Sequence, residues 1–212
     1  MAKKNSELAV DQLFDDLFPQ SAEIGVRSAT EVQWIDLSLI DPNPFQPRRI
    51  FSAAAQNKLL KSLIEQGQLQ PVLVRPREDG RFQLVAGERR WRAANQSDGR
   101  ISQLLAVVRP LSDYEALVAS WHENDDRENI GPLESGRFFL RLGTVSLGTP
   151  SELAEKTVNS GKIPSGFPWD EVATAVGLSK RSVRRYIDLL KLHPTLQDWF
   201  LPVSDLNDLT LQ

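Results

Sequence analysis

The sequence predicts an α/β or α+β domain over residues 31–128 and an all-helical domain over residues 129–212, behind a flexible tail at residues 1–30. Three observations predict this. Short apolar strands alternate with amphipathic helices from Val32 to Asn124. From Gly131 onward the periodic segments are all helical in spacing. Within the first of these regions, the stretch Leu84-Val85-Ala86-Gly87-Glu88-Arg89-Arg90-Trp91-Arg92 runs from a strand through one glycine into an arginine-rich helix.

Composition narrows the function classes. Hydrophobic residues make up 41% and charged residues 25% of the 212-residue chain, ordinary values for a globular protein. The chain has no cysteine, which excludes disulfides, thiolate metal sites and a cysteine nucleophile. No run approaches a membrane span, and Met1-Ala2-Lys3-Lys4 has no apolar core behind it, so neither a membrane anchor nor a secretory signal is expected. A net charge of −3 does not point to nucleic acid, so the local distribution of charge has to decide.

In the tail, Leu8, Leu13, Leu17 and Phe18 form an apolar stripe beside Glu7, Asp11, Asp15 and Asp16, the pattern of a short docking helix. Val32 to Leu37 reads as a strand. Asp41 to Arg49 follows, and its prolines at 42, 44 and 47 forbid helix. Such a stiff loop would present Gln46 and Arg48 with little entropy left to lose. Ser52 to Gln66 reads as a helix with Leu59, Leu60, Leu63 and Ile64 inward, closed by Gly67. Gln70 to Arg75 and Phe82 to Ala86 read as a hairpin turning at Glu78-Asp79-Gly80, and Leu104 to Arg109 as a further strand. Ser112 to Asn124 is helical, with Leu117, Val118 and Trp121 buried.

The Gly87 junction is the first candidate site. Glycine lets a ligand approach the backbone closely. The first amides of the following helix lack intrahelical partners and carry positive partial charge, which suits phosphate. Arg89, Arg90 and Arg92 add planar forks that match phosphate oxygens. The same pattern is also that of a solvated, charged helix start. At the end of the helix before Gly131, Glu123 and Asn124 are hard oxygen donors suited to magnesium, with Arg127 one turn on. That stretch also reads as a plain acidic helix end. His122 and His193 lack partners at ligand spacing, and the tryptophans are expected in the core.

In the second domain, helices are expected over Leu133 to Leu142, Ser151 to Ser160, Trp169 to Val176 and Lys180 to Leu192, with Gly143 to Gly148 and Gly161 to Pro168 as loops. A further helix starts at Pro194, and the chain is expected to continue beyond Gln212. Val172, Ala173, Val176, Gly177 and Val183 fall where a helix-turn-helix, at about residues 169–192, needs them. Ser179, Lys180, Arg181, Ser182, Arg184 and Arg185 lie on the outer face. Between Lys180 and Lys191 there are five basic residues against one acid. Cations gathered on one helix of an acidic chain predict duplex DNA.

Taken together, the chain resembles the ParB family of chromosome and plasmid partition proteins. The resemblance is carried by Asn43-Pro44-Phe45-Gln46-Pro47-Arg48, by Gly67-Gln68-Leu69-Gln70-Pro71-Val72-Leu73-Val74-Arg75, by Gly87-Glu88-Arg89-Arg90-Trp91-Arg92-Ala93, and by Glu123-Asn124 with Arg127, Pro132 and Glu134. These stand in the family's order, followed by its helix-turn-helix, and cover roughly Val32 to Phe200. The resemblance implies an α+β ParB/sulfiredoxin-like domain and an all-α helix-turn-helix domain. It also implies a CTP-dependent DNA clamp. Gly87, Glu88, Arg89 and Arg90 would cradle the triphosphate, with Arg127 near it. Glu123 and Asn124 would hold magnesium. Gln46 and Arg48 would affect a weak CTPase activity, and the backbone of Leu69, Gln70 and Pro71 would lie near the base. The implied partners are a palindromic centromere-like duplex, a ParA-type ATPase and a second copy of the chain, in the cytoplasm on nucleoid or plasmid.

The chain departs from the family pattern at Asp125 and Asp126, whose carboxylates would repel a triphosphate unless they face away or bind metal. Gly131 replaces a usual asparagine, and Gly143 to Pro168 is longer than the family pattern leads one to expect. A DNA-binding regulator without a nucleotide switch, or a nuclease on the same fold, are therefore the alternatives. Sulfiredoxin-type chemistry needs a cysteine and is excluded.

Overall fold

The structure, a computed structural model, describes residues 31–45, 53–123, 130–192 and 194–197. The chain divides into two compact units, Met1–Glu123 and Asn124–Gln212.

The first unit is built on a five-stranded mixed sheet. Its strands are β1 (Glu31–Asp36), β2 (Ile40–Asp41), β3 (Val72–Pro76), β4 (Phe82–Ala86) and β5 (Gln103–Val108), in the spatial order β1-β5-β3-β4-β2. β3 and β4 form the expected antiparallel hairpin, with Val74 opposite Leu84. β1 lies antiparallel to β5, β3 parallel to β5 and β2 parallel to β4. This mixed pairing fits the α+β fold that the resemblance implies and closes the choice that the alternation of strands and helices leaves open.

Strand alternation sends side chains to two faces. Ile35, Val72, Val74, Leu84, Leu104 and Ala106 pack with Ala94, Trp91 and Ile101. Leu73, Val85 and Val107 pack with Ala119. Helix α2 (Glu88–Asn95) therefore covers one face and helix α3 (Asp113–Glu123) the other. Helix α1 (Ala53–Gln66) packs on α2. Its inward face differs from the expected leucine stripe: Leu63 is buried, Leu59 and Leu60 are half-buried, and Ile64 is exposed. The other buried residue of α1 is polar, Gln56.

The second unit is helical throughout its regular elements: α4 (Pro132–Ser146), α5 (Ser151–Ser160), α6 (Trp169–Ala175), α7 (Lys180–Asp188) and the short α8 (Pro194–Gln197). α4 is its spine. Pro132 stands in its first turn, and the Glu134 carboxylate accepts the Gly131 N–H at 3.2 Å. Phe138, Phe139, Leu140 and Leu142 along it are fully buried.

Two glycines set how closely α4 is approached. A Cβ on Gly136 would stand 2.3 Å from the Tyr186 carbonyl oxygen, so α7 crosses there on bare backbone. A Cβ on Gly143 would meet the Phe167 ring at 2.3 Å. Gly143 was expected to open a loop, but the helix runs through it to Ser146. Seating the Phe167 ring offsets the roughly 1 kcal/mol that glycine costs inside a helix. α7 is shorter than expected. It ends at Asp188 and passes into a 3₁₀ turn, Leu189–Lys191.

Candidate functional site

The chain leaves β4 and enters α2 through Gly87, whose φ of 99° and ψ of 24° are left-handed. A Cβ there would stand 2.6 Å from Val72 Cγ1 and 3.0 Å from its Cβ. Conformation and space both demand glycine. The result is a helix start whose first amide faces the C-terminal end of α3. The Glu123 carboxylate accepts the Gly87 N–H.

Arg90 closes the other side of this mouth. Its guanidinium donates to the Gln70 carbonyl at 3.1 Å and, at short range, to the Pro71 carbonyl. Its other end lies 3.6 Å from Glu123 Oε1. Burial lowers the Arg90 pKa and the neighbouring Arg89 adds to this, while Glu123 opposes both. Burial likewise pushes the Glu123 carboxyl up, against the pull of Arg90 and the Gly87 N–H. Sequence-distant residues 70–71, 87–90 and 123 thus converge on one small polar site. Glu123 accepts the Gly87 N–H and faces the Arg90 guanidinium within it.

The remaining arginines differ in role. Arg92 donates from Nε to Glu88 Oε1 at 2.8 Å. Glu88 is buried, and its second oxygen has no hydrogen-bond partner among the described residues. Arg89 is half-buried, and among the described residues its side chain makes no hydrogen bond or ion pair. Its charge acts on Glu123 across the mouth.

Two glutamines hold this mouth in place: Gln56, which sequence reasoning passed over, and Gln68, which it named without a role. Gln56, on α1, donates from Nε2 to the Arg89 carbonyl at 2.8 Å and ties α1 to the first turn of α2. Its Oε1 is buried without a hydrogen-bond partner among the described residues, so the amide orientation is set by that carbonyl. Gln68 behaves as an extra strand residue. Its Oε1 accepts the Leu105 N–H and its Nε2 donates to the Leu105 carbonyl, both at 2.8 Å, and Nε2 also reaches the Gln70 carbonyl. This pins the backbone that receives Arg90 and leaves Leu69 79% exposed beside it. For Gln56 the signal in the sequence is a glutamine at an otherwise inward position of a helix, whereas Gln68 stands in the Gly67-to-Arg75 stretch that carries the family resemblance.

Of the other residues singled out, Asn43 Oδ1 accepts the Phe45 N–H at 2.9 Å, a turn at the head of the proline loop. Gln46, Arg48, Asn124, Asp125, Asp126 and Arg127 lie outside the described residues, as does the amphipathic stretch in the tail. The tryptophans are not uniformly core. Trp121 is buried and Trp91 is half-buried, donating to the Ile40 carbonyl at 3.2 Å, whereas Trp34 is 56% exposed.

In the second unit, α6 turns through Gly177, at φ 64°, into α7. Val172, Val176 and Val183 are fully buried across the junction. Ser179 caps α7, its hydroxyl accepting the Ser182 N–H at 3.1 Å. Arg181, Arg184 and Arg185 are exposed on α7. Lys180 reaches back to Asp170 of α6 at 2.7 Å, and Arg184 lies 4.7 Å over the Trp169 ring.

Comparison with known proteins matches residues 22–125 to the ParB N-terminal domain. A probable chromosome-partitioning protein ParB from Coxiella burnetii is 32% identical over 192 residues, which is 91% of this chain and 58% of that protein. The C-terminally truncated chromosome-partitioning protein ParB from Caulobacter crescentus, solved complexed to the centromeric parS site, is 30% identical, covers 79% of this chain and 76% of its own, and overlays with a TM-score of 0.51. The chain belongs to the ParB family. The Caulobacter protein has also been solved complexed with CTP-gamma-S, at 30% identity and a TM-score of 0.42, too loose an overlay to carry site geometry across. This ParB chain spans 58% of the length of the Coxiella relative.

Proposed function

We propose that this ParB chain is a sequence-selective duplex-DNA-binding partition protein whose first unit binds CTP with magnesium and gates a DNA clamp. The observation that carries the reading is the Gly87 mouth. A left-handed glycine aims a helix-start amide, and Arg90 converges on the same point. Arg89 stands beside it, making no hydrogen bond or ion pair among the described residues while its charge acts on Glu123 and Arg90. The Gln70 and Pro71 carbonyls lie next to the mouth and accept from Arg90; the amine-bearing edge of a base would have to share or replace that donor.

In this reading, Gly87, Glu88, Arg89, Arg90 and Arg127 serve the triphosphate, and Leu69, Gln70 and Pro71 the base. Glu123 and Asn124 would hold magnesium. Magnesium is commonly bound by one or two carboxylates together with substrate phosphates, and a single carboxylate beside a phosphate-accepting mouth fits that pattern. When bound, the ion would supply positive charge that offsets the repulsion of a carboxylate and a phosphate. A Glu123 carboxylate holding the ion would compete less for the Gly87 amide and Arg90, leaving these donors more available to a phosphate. Gln46 and Arg48 act on a slow hydrolysis that resets the switch.

The α6–α7 pair is a helix-turn-helix in an all-α domain. Ser179, Lys180, Arg181, Ser182, Arg184 and Arg185 face duplex DNA at a palindromic, centromere-like site. A second copy of the chain closes the clamp, a ParA-type ATPase is the partner, and the protein works in the cytoplasm on nucleoid or plasmid.

Isothermal titration of the full chain with CTP and magnesium, with and without duplex, tests the switch. Saturable heat is expected. Absence of heat in both arms would leave the second reading, a DNA-binding regulator without a nucleotide switch. That reading is favoured by one observation: Arg90 and Arg92 are already committed to Glu123 and Glu88. Magnesium-dependent nicking of duplex DNA that Glu123→Ala abolishes would point to a nuclease instead.

A further inference from the structure

The second unit carries a device that the partition reading does not require. It begins at Gly143, where the bare helix backbone of α4 lets the Phe167 ring lie against it; a Cβ would stand 2.3 Å from that ring. Phe167 is buried, and its centroid lies 4.5 Å from that of Trp169, with the rings tilted by 57°. Trp169 is half-buried at the first position of α6. The Arg184 guanidinium lies over its ring, 4.7 Å from the centroid. One turn earlier on α7, Lys180 is paired with Asp170 at 2.7 Å. A packed core glycine is thus linked through two aromatic rings to a cation on the exposed face of α7.

We infer that Trp169 is a positioning residue that pre-sets the Arg184 guanidinium as a planar fork for a pair of in-plane acceptors on duplex DNA. The inference rests on α6 and α7 being the DNA-binding element. Stacking over an aromatic face occupies the π surface of a guanidinium and leaves the N–H groups at its edge unused. A bidentate pair needs those edge donors in one plane. Holding the group in place before DNA arrives removes part of the cost of ordering a long side chain. Lys180 serves differently, because a surface pair with Asp170, whose side chain is 82% exposed, leaves it a mobile point charge. Paired acceptors on DNA come from a guanine edge or from phosphate oxygens.

The test uses the full chain and the duplex that the wild-type chain enriches from a random pool, with a scrambled duplex as comparison. Trp169→Leu keeps apolar bulk on Phe167 and removes most of the π face. It should weaken binding to the enriched duplex about threefold to tenfold, and Trp169→Phe should restore part of this. In an Arg184→Ala background, Trp169→Leu should cost nothing more. An equal loss with and without Arg184 would overturn the inference, since Trp169 would then act only by holding the helix pair together.

Arg184→Lys keeps the charge without the planar fork and leaves Trp169 in place, so it answers the question even if Trp169→Leu does not fold. Wild-type affinity for that variant overturns the inference, and a loss close to that of Arg184→Ala supports it. A loss confined to the enriched duplex assigns the acceptors to a guanine edge. A loss on both duplexes, with the salt slope reduced by about one, assigns them to phosphate. If the wild-type chain enriches no sequence, the DNA-binding reading falls and this inference with it. If it does enrich one and Trp169→Leu binds like wild type, only the inference falls.

Discussion

At Gly87, conformation and space forbid a side chain separately. The residue is left-handed at φ 99°, and a Cβ would press into Val72 at 2.6 Å. Gly87→Ala should therefore destabilise the first unit by about 2 to 4 kcal/mol, combining the left-handed penalty with an overpacked contact. Denaturant unfolding measures this, and a change below about 0.5 kcal/mol would mean that the helix entry can shift. Arg90 is a residue of a different kind, because its partners are backbone carbonyls and one partly buried carboxylate. Arg90→Ala should abolish the heat of CTP binding and leave selection of duplex DNA intact. Lost DNA selection with unchanged nucleotide affinity would reverse the assignment of the two units.

Between elements, single side chains do the fastening. Gln56 joins α1 to the Arg89 carbonyl, and α1 is otherwise only lightly anchored by buried apolar groups. Gln56→Leu removes this donor together with a buried oxygen that has no hydrogen-bond partner among the described residues. Stability should fall by about 1 kcal/mol, the net worth of the hydrogen bond lost to the Arg89 carbonyl. Nucleotide affinity should fall about tenfold, corresponding to one hydrogen bond's worth of positioning of the arginine turn. Titration calorimetry beside a thermal melt separates the two effects, and a stability loss without an affinity loss would make Gln56 merely structural.

β2 and β4 are fastened by Arg81, whose Nε and NH2 meet Asp41 at 2.9 and 2.6 Å while NH2 also reaches the Ser38 carbonyl at 2.9 Å. The hydrogen bond from Arg81 holds the Asp41 pKa below its ordinary value, although burial opposes it. A carboxyl lowered in the folded state contributes its stability above the unfolded pKa, about 3.9, and loses it as pH falls through the lower folded value. The fastening should therefore act above about pH 4 and fade below it. Asp41→Asn should flatten that part of the pH–stability curve, and an unchanged curve would show the pair to be inert.

Over the whole molecule, net charge misleads and distribution informs. The chain carries −3 overall, yet α7 presents Arg181, Arg184 and Arg185 together to solvent. Each cation that meets a phosphate releases counterions, so Arg181→Ala and Arg185→Ala should each reduce the salt slope of duplex binding by about one. Nucleotide binding should be untouched, because the Gly87 mouth lies in the other compact unit. A slope that does not move would take these arginines off the phosphate backbone.

By itself the sequence determined what is local. It determined the hairpin at Glu78-Asp79-Gly80, the strand-to-helix passage through Gly87, the Ser179 cap and the buried valines around Gly177, because each depends on a few neighbouring residues and a short period. Only the tertiary structure decided the strand order, the mixed pairing within the sheet, and the partners of the site residues. Glu123 meets Arg90 across 33 positions of sequence, Gln56 meets Arg89 across another 33, and Trp169 meets Arg184 across 15. Such pairs follow from how whole helices pack, including how bare Gly136 and Gly143 leave α4, and no short-range pattern encodes that. The helix through Gly143 is the clearest case: the chain there reads as a breaker, and the Phe167 ring seated on it explains why it is not.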